Sequence, residues 1–214
     1  PSGAQWLISH GDQRAIVVEV GGGLRTYDVG EIPVVAGYVT EQMCAHGRGQ
    51  VLLPWPNRIR DGRYHLGGAD QQLPISEVAR HNASHGLVRW VNWELVAQTA
   101  DSVEVRYRLH PQPGWPWYLD LGLVYRLGPE GLTVRVHAHN PGEEPVEFMN
   151  IVVTMVKGKV DAFDLGDDRA DALRAGRRVD PRRRFEGHQG DRHDIPTLGL
   201  ALGAHQRVRG APPA

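Results

Sequence analysis

The chain is poor in the features that mark many protein classes. It has 214 residues and a single cysteine, Cys44, so no intrachain disulfide forms. A lone cysteine fits a reducing, cytoplasmic setting. In Glu41-Gln42-Met43-Cys44-Ala45-His46 it reads as a small packing residue, with a reactive thiol as the alternative. No apolar run approaches the ~18 residues of a spanning helix. The first residues, Pro1-Ser2-Gly3-Ala4-Gln5-Trp6, lack the basic start and apolar stretch of a signal peptide. They also lack an initiator methionine, so a trimmed or missing segment ahead of them is expected. An excess of either charge is absent too: 24 Lys and Arg nearly balance 25 Asp and Glu, for a formal net charge of -1. No global field therefore draws in nucleic acid or a membrane surface, and neither is an expected partner.

Several catalytic signatures are missing. No Gly-x-Ser-x-Gly elbow occurs, which argues against a serine hydrolase. Gly21-Gly22-Gly23 has no Lys-Ser/Thr follower and precedes a strand pattern, so it reads as a tight hairpin connection and not a phosphate loop. His81 and His85 are four apart but lack both a convincing helix and an intervening glutamate, so no metal site is expected. Long amphipathic helices and fixed-period repeats are absent as well.

What is present is a period of two. Val103, Val105, Tyr107 and Leu109 alternate with polar residues, as do Leu119 to Leu127 and Leu132 to Ala138. Each predicts a strand with one face on a core and one toward water. Gly128-Pro129-Glu130-Gly131 predicts the turn between the last two. Arg14 to Val20 predicts another strand, partnered by Leu24 to Val29, and Asp61-Gly62 a turn into Arg63-Tyr64-His65-Leu66. Recurrent short strands with Gly, Pro and Asp punctuation predict an all-β sandwich.

The composition changes toward the end. All six Trp and all six Tyr lie before residue 127, whereas residues 169–214 hold ten Arg, no Lys and one aromatic, Phe185. An Arg, Gly, Ala, Pro and His mixture is what GC-rich DNA yields out of frame. Two readings stand: a frameshifted stretch past about residue 166, or a divergent basic tail. The organisation expected is a sandwich over 1–166 and an Arg/Gly/Pro-rich segment over 167–214.

The candidate site residues lie in the first part. In Pro54-Trp55-Pro56-Asn57-Arg58-Ile59, two prolines stiffen the loop around an amide and a planar fork of donors. A sugar is a ring of hydroxyls and suits such a pair. On residue type alone the commoner reading is a turn whose Asn57 caps the backbone and whose Arg58 pairs with a surface acid. Histidine suits proton transfer near neutral pH, which singles out His85; His81 reads as structural. Sugar C–H faces stack on indole, and Gln112-Pro113-Gly114-Trp115-Pro116-Trp117 reads as a rigid loop presenting Trp115 near a cleft.

Several of these segments together resemble the aldose 1-epimerases (galactose mutarotases). They are Gly21 to Tyr27, Pro54 to Tyr64, His85-Gly86-Leu87-Val88-Arg89-Trp90, Leu109 to Pro116, and Leu132-Thr133-Val134 with Asn140-Pro141-Gly142. Order and spacing match over roughly residues 5–148. The resemblance implies a galactose-mutarotase-like β-sandwich (supersandwich) that binds a pyranose in a concave cleft. It implies interconversion of the α and β anomers of a hexose such as galactose or glucose, by a base on the anomeric hydroxyl and an acid on the ring oxygen, without metal or cofactor. Asn57 and Arg58 match sugar-contacting positions, and His85 matches the first of two active-site histidines. A phosphorylated hexose is a variant, with Arg25, Arg60 or Arg89 on the phosphate.

The family's acid histidine, expected in a His-Pro-Tyr motif, falls where this chain reads Phe148-Met149-Asn150-Ile151-Val152. The Glu-Pro-Met-Thr motif near the family's base is also not found. Weak mutarotation is therefore expected, with a non-catalytic sugar-binding sandwich or an inactive truncated or frameshifted member as alternatives. A sandwich incomplete at its C-terminal end leaves apolar faces and an edge to cover, so a homodimer or poor solubility is expected.

Overall fold

The computed structural model describes residues 1–66, 68–142, 146–157 and 197–208, the last two spans as backbone strands with only Val146 described beyond its backbone. Among these residues there is no α-helix. The strands are β1 (Gln5–His10), β2 (Gln13–Val18), β3 (Leu24–Val29), β4 (Ile32–Pro33), β5 (Val51–Leu52), β6 (Arg58–Arg60), β7 (Arg63–Leu66) and β8 (Ala69–Gln72). A single 3₁₀ turn, Val78–Arg80, then leads into β9 (Asn82–Ser84), β10 (Glu94–Gln98), β11 (Ser102–Leu109), β12 (Leu119–Gly128), β13 (Gly131–His139), β14 (Val146–Lys157) and β15 (Thr197–Val208). No helix among the described residues is long and apolar enough to cross a membrane.

Two four-stranded antiparallel sheets, β1-β2-β3-β4 and β10-β11-β12-β13, form the sandwich. The predicted period of two is realised most fully in β12, where Leu119, Leu121, Leu123, Tyr125 and Leu127 are all buried. They share one core with Trp6 and Ile8 of β1 and Val17 of β2. Burying each Leu or Ile contributes roughly 1.5–3 kcal/mol. The sheets are also stitched by polar contacts: the Tyr125 hydroxyl donates to the Gly22 carbonyl at 2.7 Å, and Gln13 Nε2 to the Gly128 carbonyl at 2.8 Å. Gly128 and Gly131 pair across the predicted two-residue turn. Gly21-Gly22-Gly23 connects β2 to β3 as expected, with Val18 N–H donating to the Gly23 carbonyl at 2.9 Å.

Some strands were not foreseen. β1 carries the adjacent apolar residues Trp6, Leu7 and Ile8, and β10 is exposed along its whole length, so neither shows clean alternation. β15 lies in the Arg-rich C-terminal segment and pairs antiparallel with β14 from Val146↔Val208 to Lys157↔Thr197. The expected boundary at 166/167, and the stretch 158–196 in which a frame change would begin, lie outside the described residues.

Candidate functional site

A short ladder brings the two motifs together. β6 and β9 pair antiparallel, with Arg58↔Ser84, Ile59↔Ala83 and Arg60↔Asn82. One step beyond the ladder, Asn57 and His85 face each other. His85 N–H donates to the Asn57 carbonyl at 2.8 Å, and Asn57 N–H donates to His85 Nδ1 at 3.1 Å. Both residues have positive φ, 59° and 64°. Asparagine tolerates that region better than most side chains. The segments close further along where Leu87 N–H donates to the Leu53 carbonyl at 2.7 Å.

The second bond settles the histidine's protonation. A backbone N–H only donates, so Nδ1 is the acceptor and the ring proton sits on Nε2. His85 is half-buried, and its pKa lies below the usual 6.5 because burial disfavours the cation, with the positive charges of Arg89 and Arg58 adding to the effect against Glu77. Unfolded chains therefore bind more protons at this ring than folded ones. Its contribution to stability is complete above 6.5 and is lost as pH falls through the folded value. Proton NMR of the imidazole is expected to give a midpoint below 6.5; one above it would break the pairing with the Asn57 amide.

Arg58 does pair with a surface acid, as residue type suggested. Its Nε and Nη2 donate to Glu77 at 2.6 and 2.9 Å. Its Nη1 also donates to Asn57 Oδ1 at 3.2 Å, which turns the Asn57 amide so that Nδ2 stays available as a donor. The fork retains further N–H groups. Glu77 accepts from Asn82 Nδ2 at 3.2 Å, and the Arg58 guanidinium beside it, then the Asn82 bond, pull its carboxyl down to about 2. It is thereby too weak a base to take a proton near neutral pH. Sequence reading missed Glu77: no spacing rule links it to Arg58, 19 residues away.

Trp115 has to be corrected. It is 2% exposed and belongs to the core, so its indole has no open face for a sugar. The cause is local: Gln112 and Trp115 exchange two backbone bonds of 2.8 Å around Gly114, which folds the indole inward, edge-on to half-buried Trp117. Trp55 and Trp93 are buried as well; Trp90, 44% exposed beneath the Arg89 guanidinium at 5.3 Å, is the open indole of the His85 segment. His81 bonds Asp61 at 2.8 Å, a partner unrelated to that of His85. Cys44 donates to the Arg48 carbonyl at 3.0 Å, and burial pushes its thiol up to about 11, so it is unreactive near neutral pH. Of the arginines considered for phosphate, Arg25 is occupied by Gln5 Oε1 and the Tyr38 carbonyl. Arg60 is exposed on β6. Arg89 is half-buried and makes no ion pair among the described residues.

Known proteins resemble this chain in sequence and in fold. The sequence model of the aldose 1-epimerase family matches residues 4–149. The uncharacterized protein YihR of Escherichia coli K12 is 37% identical over 142 residues, covering 66% of this chain and 46% of that protein. A putative aldose 1-epimerase from the same organism superposes with a TM-score of 0.62 at 22% identity, over 73% of this chain and 53% of the other. For the galactose 1-epimerase of Lactobacillus acidophilus the TM-score is 0.58 at 16% identity, over 70% and 47%. The chain thus spans about half the length of these relatives. On its sequence match and its β-sandwich, the chain belongs to the aldose 1-epimerase family.

Proposed function

We propose that the chain binds a hexose at Asn57, Arg58 and His85 and interconverts its α and β anomers, as its family membership suggests. One observation carries the reading: the Asn57 N–H occupies His85 Nδ1 and leaves Nε2–H as a fixed donor. Asn57 Nδ2 and the spare Arg58 N–H groups add further donors. A sugar offers its ring and hydroxyl oxygens to such a group. As the anomeric hydroxyl gives its proton to water and the C1=O1 bond forms, the C1–O5 bond breaks, negative charge develops on the ring oxygen, and a preplaced donor stabilises it. Asn57 and Arg58 hold the ring while this happens.

The carboxylate in this network, Glu77, is committed to Arg58, which favours a second reading: a sugar-binding sandwich without turnover. A missing general acid or base lowers a rate by roughly 10²–10⁴-fold. Polarimetry of fresh α-D-glucose is therefore expected to show a weak acceleration that disappears in His85→Ala. Hexose binding by NMR titration without any acceleration would favour the second reading, and neither binding nor acceleration would sink both. Arg89, half-buried and without an acid partner among the described residues, is the arginine best suited to a phosphorylated hexose. The same titration with glucose 6-phosphate provides that arm.

A further inference from the structure

We propose that Glu77 is the positioning residue of this site, holding the Arg58 fork and, through it, the Asn57 amide in the one orientation that presents donors to the sugar. The inference rests on the sugar-site reading above and names a residue that reading does not need.

The geometry is specific. Glu77 meets Arg58 through both carboxylate oxygens, Oε2 to Nε at 2.6 Å and Oε1 to Nη2 at 2.9 Å. A bidentate fork of this kind fixes the guanidinium plane, which a single contact does not. Arg58 then directs Nη1 to Asn57 Oδ1. Asn57 in turn has its backbone bonded to His85. The orientation of two donor groups, the Arg58 fork and the Asn57 amide, thus descends from one carboxylate, while the Asn57 backbone separately holds His85.

The carboxylate is itself anchored. Glu77 N–H donates to the Asn82 carbonyl at 2.9 Å and Asn82 N–H to the Glu77 carbonyl at 3.2 Å, clasping the 3₁₀ turn between them. Asn82 begins β9, which pairs with β6, where Arg58 lies. Next to Glu77, Ser76 Oγ accepts from Ser84 N–H at 2.8 Å. Arg58 therefore sits on this ladder and Glu77 is bridged to the first residue of its partner strand, whose Nδ2 holds Oε2 at 3.2 Å. The side chain of Glu77 is 25% exposed and that of Arg58 36%, leaving the fork accessible at the surface.

The test is a double-mutant cycle on the full chain, read by NMR titration with galactose and by the Arg58 ¹⁵Nε signal. Glu77→Gln is expected to weaken galactose binding about tenfold with an unchanged melting temperature, since a charge-assisted fork is replaced by neutral contacts. In an Arg58→Gln background the same change is expected to do nothing further, and Glu77→Asp to recover part of the loss. The Arg58 Nε–H signal should shift in Glu77→Gln. Wild-type affinity in Glu77→Gln, or an equal loss in both backgrounds, would overturn the proposal. Should the wild-type chain bind no hexose while the Nε–H signal still depends on Glu77, the sugar reading falls and the positioning stands. A signal indifferent to Glu77→Gln removes the positioning itself.

Discussion

Replacing Gly86 by alanine is expected to cost the fold about 3 kcal/mol or more and to abolish the proposed hexose binding. Gly86 has φ of 75°, and a Cβ built there lies 2.0 Å from the Leu53 carbonyl oxygen and 2.4 Å from its carbon. The left-handed conformation alone costs an L-residue roughly 1–2 kcal/mol. The overlap adds more, because its partner is backbone and cannot swing aside. Leu53 and Val88 are both fully buried, and the Leu87 N–H is bonded to the same Leu53 carbonyl. Relief therefore requires the two segments to separate. His85 directly precedes Gly86, so separation also breaks the exchange of bonds with Asn57. Urea denaturation and NMR titration of Gly86→Ala check both halves. A midpoint equal to wild type would contradict the close approach at Leu53.

The second large effect is expected in the core. Trp93→Ala should lose about 3–5 kcal/mol, a large part of the stability of an ordinary domain. Trp93 is 1% exposed, tilted against Tyr107 at a centroid distance of 5.9 Å, and its indole N–H donates to the Val88 carbonyl at 3.3 Å. A Cβ on Gly22 would lie 2.9 Å from both Trp93 and Leu123, so the β2–β3 connection is seated directly on the indole. Removing the ring opens a cavity that backbone on one side and β12 on the other cannot fill. Trp93→Phe should lose less, retaining the ring volume while leaving the Val88 carbonyl without its donor. Equal urea midpoints for Trp93→Ala and wild type would remove Trp93 from the core.

How well the sequence could be read depended on how regular each stretch is. β11, β12 and β13 alternate cleanly because one face of their sheet meets the core and the other meets water. β1 and β10 hide that pattern in different ways: β1 alternates in burial but its outward residue between buried Trp6 and Ile8 is the apolar Leu7, and β10 has no buried residue. An edge strand such as β10, held by backbone bonds, needs no apolar period, so period alone does not find it. In β15, Leu198, Leu200 and Leu202 do alternate, but with glycine and alanine inside a segment whose arginines dominate its composition.

By itself, the sequence determined the class of fold, the family, and the identity of Asn57, Arg58 and His85 as the residues to examine. Local chemistry suffices for that, since strand period, turn residues and motif order are properties of neighbours along the chain. Tertiary structure alone decided which partners those residues meet. It put Glu77 on Arg58, Asn57 N–H on His85 Nδ1, and Trp115 in the core. The separations are 19 and 28 residues for the first two. At such distances partners are chosen by strand register and packing, because a side chain's bonding capacity is fixed by its type while its partner is fixed by what folding brings within about 3 Å.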